Sequence, residues 1–231
     1  MSMKQHLLEV QEQIRLACER VGRNPEEVTL IAVSKTQPEE VMKEAYDLGI
    51  RVFGENKVQE LSVKSAYMPE DISWHMIGHL QTNKVKQVLG KASLIHSVDS
   101  LRLAEVIARE SEKRGIITDI LIEVNVAEEE SKYGFTCKEI HTAVRTIANY
   151  SSLRIQGFMT IAPFVDNSEE NRSIFAYLRQ LSVDIKGENI DNVNMDVLSM
   201  GMTNDYTVAI EEGATMVRVG TGIFGLRDYQ H

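Results

Sequence analysis

The chain predicts an α/β fold of one domain, residues 1–231: a closed parallel (β/α)8 barrel of the TIM type with an extra N-terminal helix. Three observations lead there. Short apolar runs rich in Val and Ile alternate with stretches of helical period in roughly eight strand-helix units. A chain of 231 residues with 43% hydrophobic residues can bury one sizeable core. No Gly-x-Gly-x-x-Gly follows the first strand, and Gly220-Thr221-Gly222 lacks that motif's third glycine, which weakens an open doubly wound sheet.

Each element follows in order. Ser2 to Val21 carries Leu7, Leu8, Ile14, Leu16 and Ala17 at helical spacing, and Gly22 is a stop signal, so this is the added opening helix. Thr29 to Val33 is a β-leaning apolar run closed by Ser34-Lys35-Thr36-Gln37-Pro38. A lysine therefore stands at the mouth of the first strand. Pro38-Glu39-Glu40 starts a helix that closes at Gly49, and Ile50 to Phe53 is the next strand, running into a turn at Gly54 and a helix. Ser73 to Ile77 leads to Gly78-His79 and the helix Lys84 to Leu89. Leu94 to Val98 precedes Asp99-Ser100, which cap a helix to about Arg114. Ile117 to Val124 ends at Asn125 and precedes a helix over Cys137 to Ser151. Leu153 to Phe158 ends at Met159-Thr160, with a helix at Ser168 to Ser182. Met195 to Leu198 opens into the loop Ser199-Met200-Gly201-Met202, Asp205 to Glu212 is helical, and Ala214 to Val219 opens into Gly220-Thr221-Gly222.

Composition removes several classes of function. The net charge is −9 and no Lys/Arg block occurs, so nucleic acid is not an expected partner. Two cysteines, Cys18 and Cys137, form neither a disulfide scaffold nor a metal motif, which suits a reducing cytoplasm. No apolar run approaches membrane-spanning length, and no membrane association or metal is expected.

In a barrel the carboxyl ends of the strands share one face, which here collects Lys35, Asn56, His79, Asp99, Asn125, Met159, Ser199 and Thr221. The loops after the seventh and eighth strands commonly hold a phosphate, and here they carry Ser199-Met200-Gly201 and Gly220-Thr221-Gly222. Arg218 lies inside an apolar strand and must be paired, either to a neighbouring acid such as Glu123 or to an acceptor on a ligand. An amine, a phosphate cradle and a cation together fit pyridoxal phosphate. Trp74 and His75 read as core; among the ten methionines only Met159 and Met200 are placed to touch a ligand. Asp99 reads first as a helix cap.

The chain closely resembles the pyridoxal phosphate homeostasis proteins (the YggS type), which share the barrel of the alanine racemase class. The resemblance covers nearly the whole chain. It rests on Ala32-Val33-Ser34-Lys35-Thr36, Phe53-Gly54-Glu55-Asn56-Lys57-Val58-Gln59-Glu60, Trp74 to Lys84, Ser97-Val98-Asp99-Ser100, Gly157-Phe158-Met159-Thr160, Leu198 to Asp205 and Arg218 to Gly225. Gly222 stands where alanine is usual and Lys57 where arginine is common. The resemblance implies that Lys35 forms a Schiff base with pyridoxal 5'-phosphate, that Ser199, Gly220 and Thr221 hold the phosphate, and that Arg218 faces the pyridine nitrogen. Asn56 and His79 would lie near the cofactor, Met159 near its ring, with Met200 and Gly201 completing the set. The function implied is a non-catalytic carrier, monomeric and cytoplasmic, that buffers the cofactor or delivers it to apo enzymes. An amino-acid racemase is the alternative, disfavoured because the chain ends at His231 without the second domain that supplies such an enzyme's opposing tyrosine.

Overall fold

The computed structural model describes residues 1–225. Its eight parallel strands close into a barrel in sequence order: β1 Thr29–Val33, β2 Val52–Glu55, β3 Ser73–Met76, β4 Leu94–Val98, β5 Thr118–Glu123, β6 Leu153–Met159, β7 Val193–Met202 and β8 Met216–Val219. β8 pairs back onto β1, with Ile31 opposite Arg218, so no strand edge remains open. Helix α1 (Met3–Arg20) precedes the barrel. Between and after the strands run α2 (Glu39–Asp47), α3 (Val58–Tyr67), α4 (Val85–Val88), α5 (Leu101–Glu112), α6 (Ile140–Ile147), α7 (Arg172–Gly187), α8 (Tyr206–Glu211) and α9 (Thr221–Phe224).

The period-two alternation of each strand sorts side chains into two layers. Phe53, Trp74, Phe158, Leu198, Met200 and Val217 point out and join the buried shell under the helices. Leu94, Leu121 and Met159 point in and pack with Val197 and Met216 in the barrel interior. The added helix α1 is tied down at its start by a capping box of Ser2 and Gln5, and it packs on α8 and α9. Its chain exit is turned by Gly22 at φ 68°.

Three differences from the sequence expectation bear on the site. β7 does not stop at Leu198. Its pairing continues through Ser199 opposite Met159 and Met202 opposite Arg218, with a bulge that takes up the register. Ser199, Met200 and Gly201 are therefore strand residues, and alternation turns Met200 outward into the helix shell, away from any ligand on the barrel face. β2 runs over Val52–Glu55 rather than Ile50 to Phe53, which makes Glu55 a strand residue with no exposure. The cap of α5 is Ser100, whose Oγ accepts from the Leu103 amide, so Asp99 is released from capping.

At the β6–β7 bulge a Cβ on Gly157 would lie 1.8 Å from the Val197 carbonyl oxygen. Gly157→Ala is therefore expected to destabilise the fold by roughly 3 kcal/mol or more, read as a lowered urea midpoint. A midpoint equal to wild type would show that the bulge relaxes freely.

Candidate functional site

The carboxyl face of the barrel opens into a cavity of about 230 Å³ between the ends of β1, β7 and β8 and the segment after β6. Lys35, Arg218, Gly220 and Thr221 all line it, joined by Val33, Met202, Thr203, Asn204 and Asp205, with Pro163, Phe164 and Val165 along one side. Lys35 is exposed, and its amine makes no hydrogen bond or ion pair among the described residues. A primary amine so placed is available to a carbonyl compound.

The two expected anion loops do meet. The Gly220 amide donates to Thr203 Oγ1 at 3.4 Å, and the Thr221 and Thr203 hydroxyls are also 3.4 Å apart. Gly220 precedes α9, whose first amides have no partner inside the helix. Asp205 fixes the approach: its carboxylate accepts from the Met202 amide at 2.7 Å and from Asn171 Nδ2 at 2.8 Å, and Asn171 also donates to the Pro163 carbonyl. Thr203, Asp205 and Asn171 thus join three loops. The sequence signal of Thr203 and Asp205 was a polar run ahead of α8, which capping alone would explain.

Arg218 is buried, at 4% exposure, and its partner is not Glu123. Nη1 donates to Ser199 Oγ at 2.6 Å and Nη2 to the Thr160 carbonyl at 2.8 Å. Burial lowers its pKa to about 10, with Glu123 and Asp205 opposing, so it remains a cation at neutral pH. From Ser199 a chain of hydrogen bonds crosses the interior: His96 Nδ1 lies 2.9 Å from Ser199 Oγ, His75 Nδ1 lies 2.9 Å from His96 Nε2, and Ser73 Oγ lies 3.2 Å from His75 Nε2. Burial pushes His75 down to about 4 and His96 well below the ordinary histidine value, so both rings are neutral at pH 7. The Ser199 hydroxyl is fully buried and engaged in this chain, which removes its side chain from the anion cradle.

The remaining expected residues divide by position. Asn56 is half-buried and its Oδ1 is buried without a hydrogen-bond partner among the described residues. Gly201 has φ 89°, and a Cβ there would sit 2.6 Å from Ala209 Cβ, so its glycine is required by the packing of α8. Met159 is fully buried in the interior cluster. His79 faces a separate shallow pocket, where its Nδ1 lies 2.8 Å from Asp99 Oδ2 and its ring stacks on Tyr133 at 3.8 Å.

Glu123 also points to this face, 5% exposed and with no side-chain hydrogen bond among the described residues. Burial, then the nearby Asp99, raise its carboxyl to about 7, while Arg218 opposes. The native state thus binds this proton more tightly than the unfolded chain, whose value is 4.5, and stability falls as pH rises between the two values. His75 and His96 have the opposite sign, and both gain their contribution as pH rises through their unfolded value of 6.5. They are common to wild type and Glu123→Gln, so the difference between the two cofactor-free proteins isolates Glu123: the variant should gain on wild type as pH rises from 4.5 to about 7, reaching roughly 2–3 kcal/mol above that. Urea unfolding of both proteins across this window checks it; a stability difference that does not change with pH contradicts it.

The model of the alanine racemase N-terminal domain matches residues 6–228. A pyridoxal phosphate homeostasis protein of Aquifex aeolicus is 44% identical over 99% of this chain and 100% of its own length, and one of Escherichia coli K12 is 40% identical over 97% and 96%. Among solved structures, a protein of unknown function from Bifidobacterium adolescentis has a TM-score of 0.90 at 35% identity, covering 96% of this chain and 94% of its own. PipY of Synechococcus elongatus, solved with PLP bound, has a TM-score of 0.84 at 32% identity, covering 97% and 100%. An alanine racemase from Corynebacterium glutamicum, at 14% identity and a TM-score of 0.70, shares the fold. Barrel, added helix and full-length identity agree: this chain belongs to the pyridoxal phosphate homeostasis protein family, on the barrel of the alanine racemase N-terminal domain.

Proposed function

We propose that this protein binds pyridoxal 5'-phosphate and maintains its intracellular supply, holding it on Lys35 and releasing it to apo enzymes. The observation that carries the reading is the pocket itself: the Lys35 amine, unpartnered among the described residues, shares one cavity with Arg218, Gly220 and Thr221. The residues fit the cofactor. Lys35 would hold its aldehyde carbon through the free amine. Gly220 and Thr221 would receive the phosphate, with Thr203 holding the two loops together. Asn56 brings an unsatisfied buried oxygen.

When bound, the cofactor's ring offers an electron sink, whose strength depends on protonation of the ring nitrogen. Arg218 stays cationic and is fixed in orientation by Ser199 and Thr160, so a ring nitrogen beside it is disfavoured from taking a proton. Such a site favours retention of the aldehyde over carbanion chemistry, and a carrier rather than a racemase follows. We take the carrier to act as a monomer in the cytoplasm; no described helix is long and apolar enough to cross a membrane.

Protein incubated with pyridoxal phosphate and passed through a desalting column is expected to retain visible absorbance, while α-proton exchange of amino acids in deuterated water stays at the protein-free background. Colourless protein overturns the binding. Brisk exchange dependent on Lys35 overturns the carrier and restores the racemase.

A further inference from the structure

The turn that carries Lys35 is clamped from below by charges that the pocket does not use. Lys64, on α3, is buried at 5% exposure. Its amine donates to Glu55 Oε1 at 2.8 Å, to Glu60 Oε2 at 3.0 Å and to the Ser34 carbonyl at 2.7 Å. The same acids reach the residues on either side of Lys35. The Ser34 hydroxyl donates to Glu55 Oε1 at 2.6 Å, and the Thr36 amide donates to Glu60 Oε2 at 2.6 Å.

Thr36 has φ 63°, a left-handed backbone that a β-branched residue rarely adopts. Strain of this kind persists only where the surroundings over-determine it. Here the determinant is visible, since the Glu60 carboxylate holds the Thr36 amide in place. The network is also a poor device for stability alone. Glu55 Oε2 is buried with no partner among the described residues, and an apolar trio of similar volume would serve the core as well or better.

We propose that Lys64 is a positioning residue for Lys35: bridging Glu55 and Glu60 beneath the turn, it fixes Ser34 and Thr36 and so aims the Lys35 amine into the cavity. The proposal rests on the reading that Lys35 holds pyridoxal phosphate. Lys64 touches neither the cavity nor the cofactor; it acts through the backbone of the turn.

Two variants open the clamp. Lys64→Met removes the buried cation, and Glu60→Ala, on a half-buried side chain, releases the Thr36 amide while keeping the Lys64–Glu55 pair. Cofactor release is followed by loss of visible absorbance against an excess of a competing amine, and cofactor orientation by the visible circular dichroism band. Each variant is expected to release cofactor about tenfold faster than wild type and to lose much of the band. Adding Thr36→Gly to Glu60→Ala should recover most of both, because glycine takes the left-handed conformation without strain. A merely structural role would give no such rescue.

If Lys64→Met fails to fold, Glu60→Ala and its rescue decide alone. Variants with wild-type release and an unchanged band, or a Thr36→Gly that rescues nothing, overturn the proposal while leaving the cofactor reading intact. A wild type that takes up no chromophore overturns both.

Discussion

Lys35→Ala is expected to retain no pyridoxal phosphate through a desalting column and to weaken equilibrium binding by at least about a hundredfold, or about 3 kcal/mol. The substitution removes the covalent link and leaves only the contacts of the anion loops and Arg218. Lys35 is exposed and unpaired among the described residues, so the fold itself should be unaffected within about 0.5 kcal/mol. Loss of cofactor with unchanged urea unfolding of the cofactor-free protein separates a site effect from a folding effect. A variant that binds with wild-type affinity would place the attachment elsewhere.

Ser199→Ala is expected to cost roughly 2–3 kcal/mol of stability. Its hydroxyl accepts from the Arg218 guanidinium at 2.6 Å and lies 2.9 Å from His96, in a space from which water is excluded. Removing it orphans a charged donor and a ring nitrogen together, whereas a surface serine would cost little. The same change frees the Arg218 guanidinium to turn, so the visible absorption maximum of bound cofactor should shift as well. Unchanged stability and spectrum would show that Arg218 is held by the Thr160 carbonyl alone.

What the residues reveal before any coordinates is mostly local. Lys35 is legible because an apolar run with a polar closure fixes both the strand and its exit. Gly220 and Thr221 are legible for the same reason at the end of β8. The family resemblance supplies the cofactor. The interior is different, because closure of the barrel joins residues that no spacing relates. His75, His96, Ser199 and Arg218 come from β3, β4, β7 and β8, and Ser199 turns inward because β7 continues past Leu198 in register with β6. A serine-glycine run reads as a loop until its pairing partners are known, which is why Ser199 passed for a phosphate ligand and Met200 for a ligand contact. Glu123 was one of the two partners open to Arg218, yet a neutral hydroxyl and a carbonyl take that place. Lys64 falls in the same class. On a helix with Glu60 four residues before it, a lysine reads as a solvated surface pair, and only the packing of α3 on β2 turns it beneath the Lys35 turn.

The most direct measurement is borohydride reduction of the protein loaded with pyridoxal phosphate, followed by digestion and mass mapping of the modified peptide. Reduction is expected to fix the phosphopyridoxyl group on Lys35 at close to one per chain. Modification scattered over surface lysines, or concentrated on any lysine other than Lys35, would contradict the assignment of this cavity as the cofactor site.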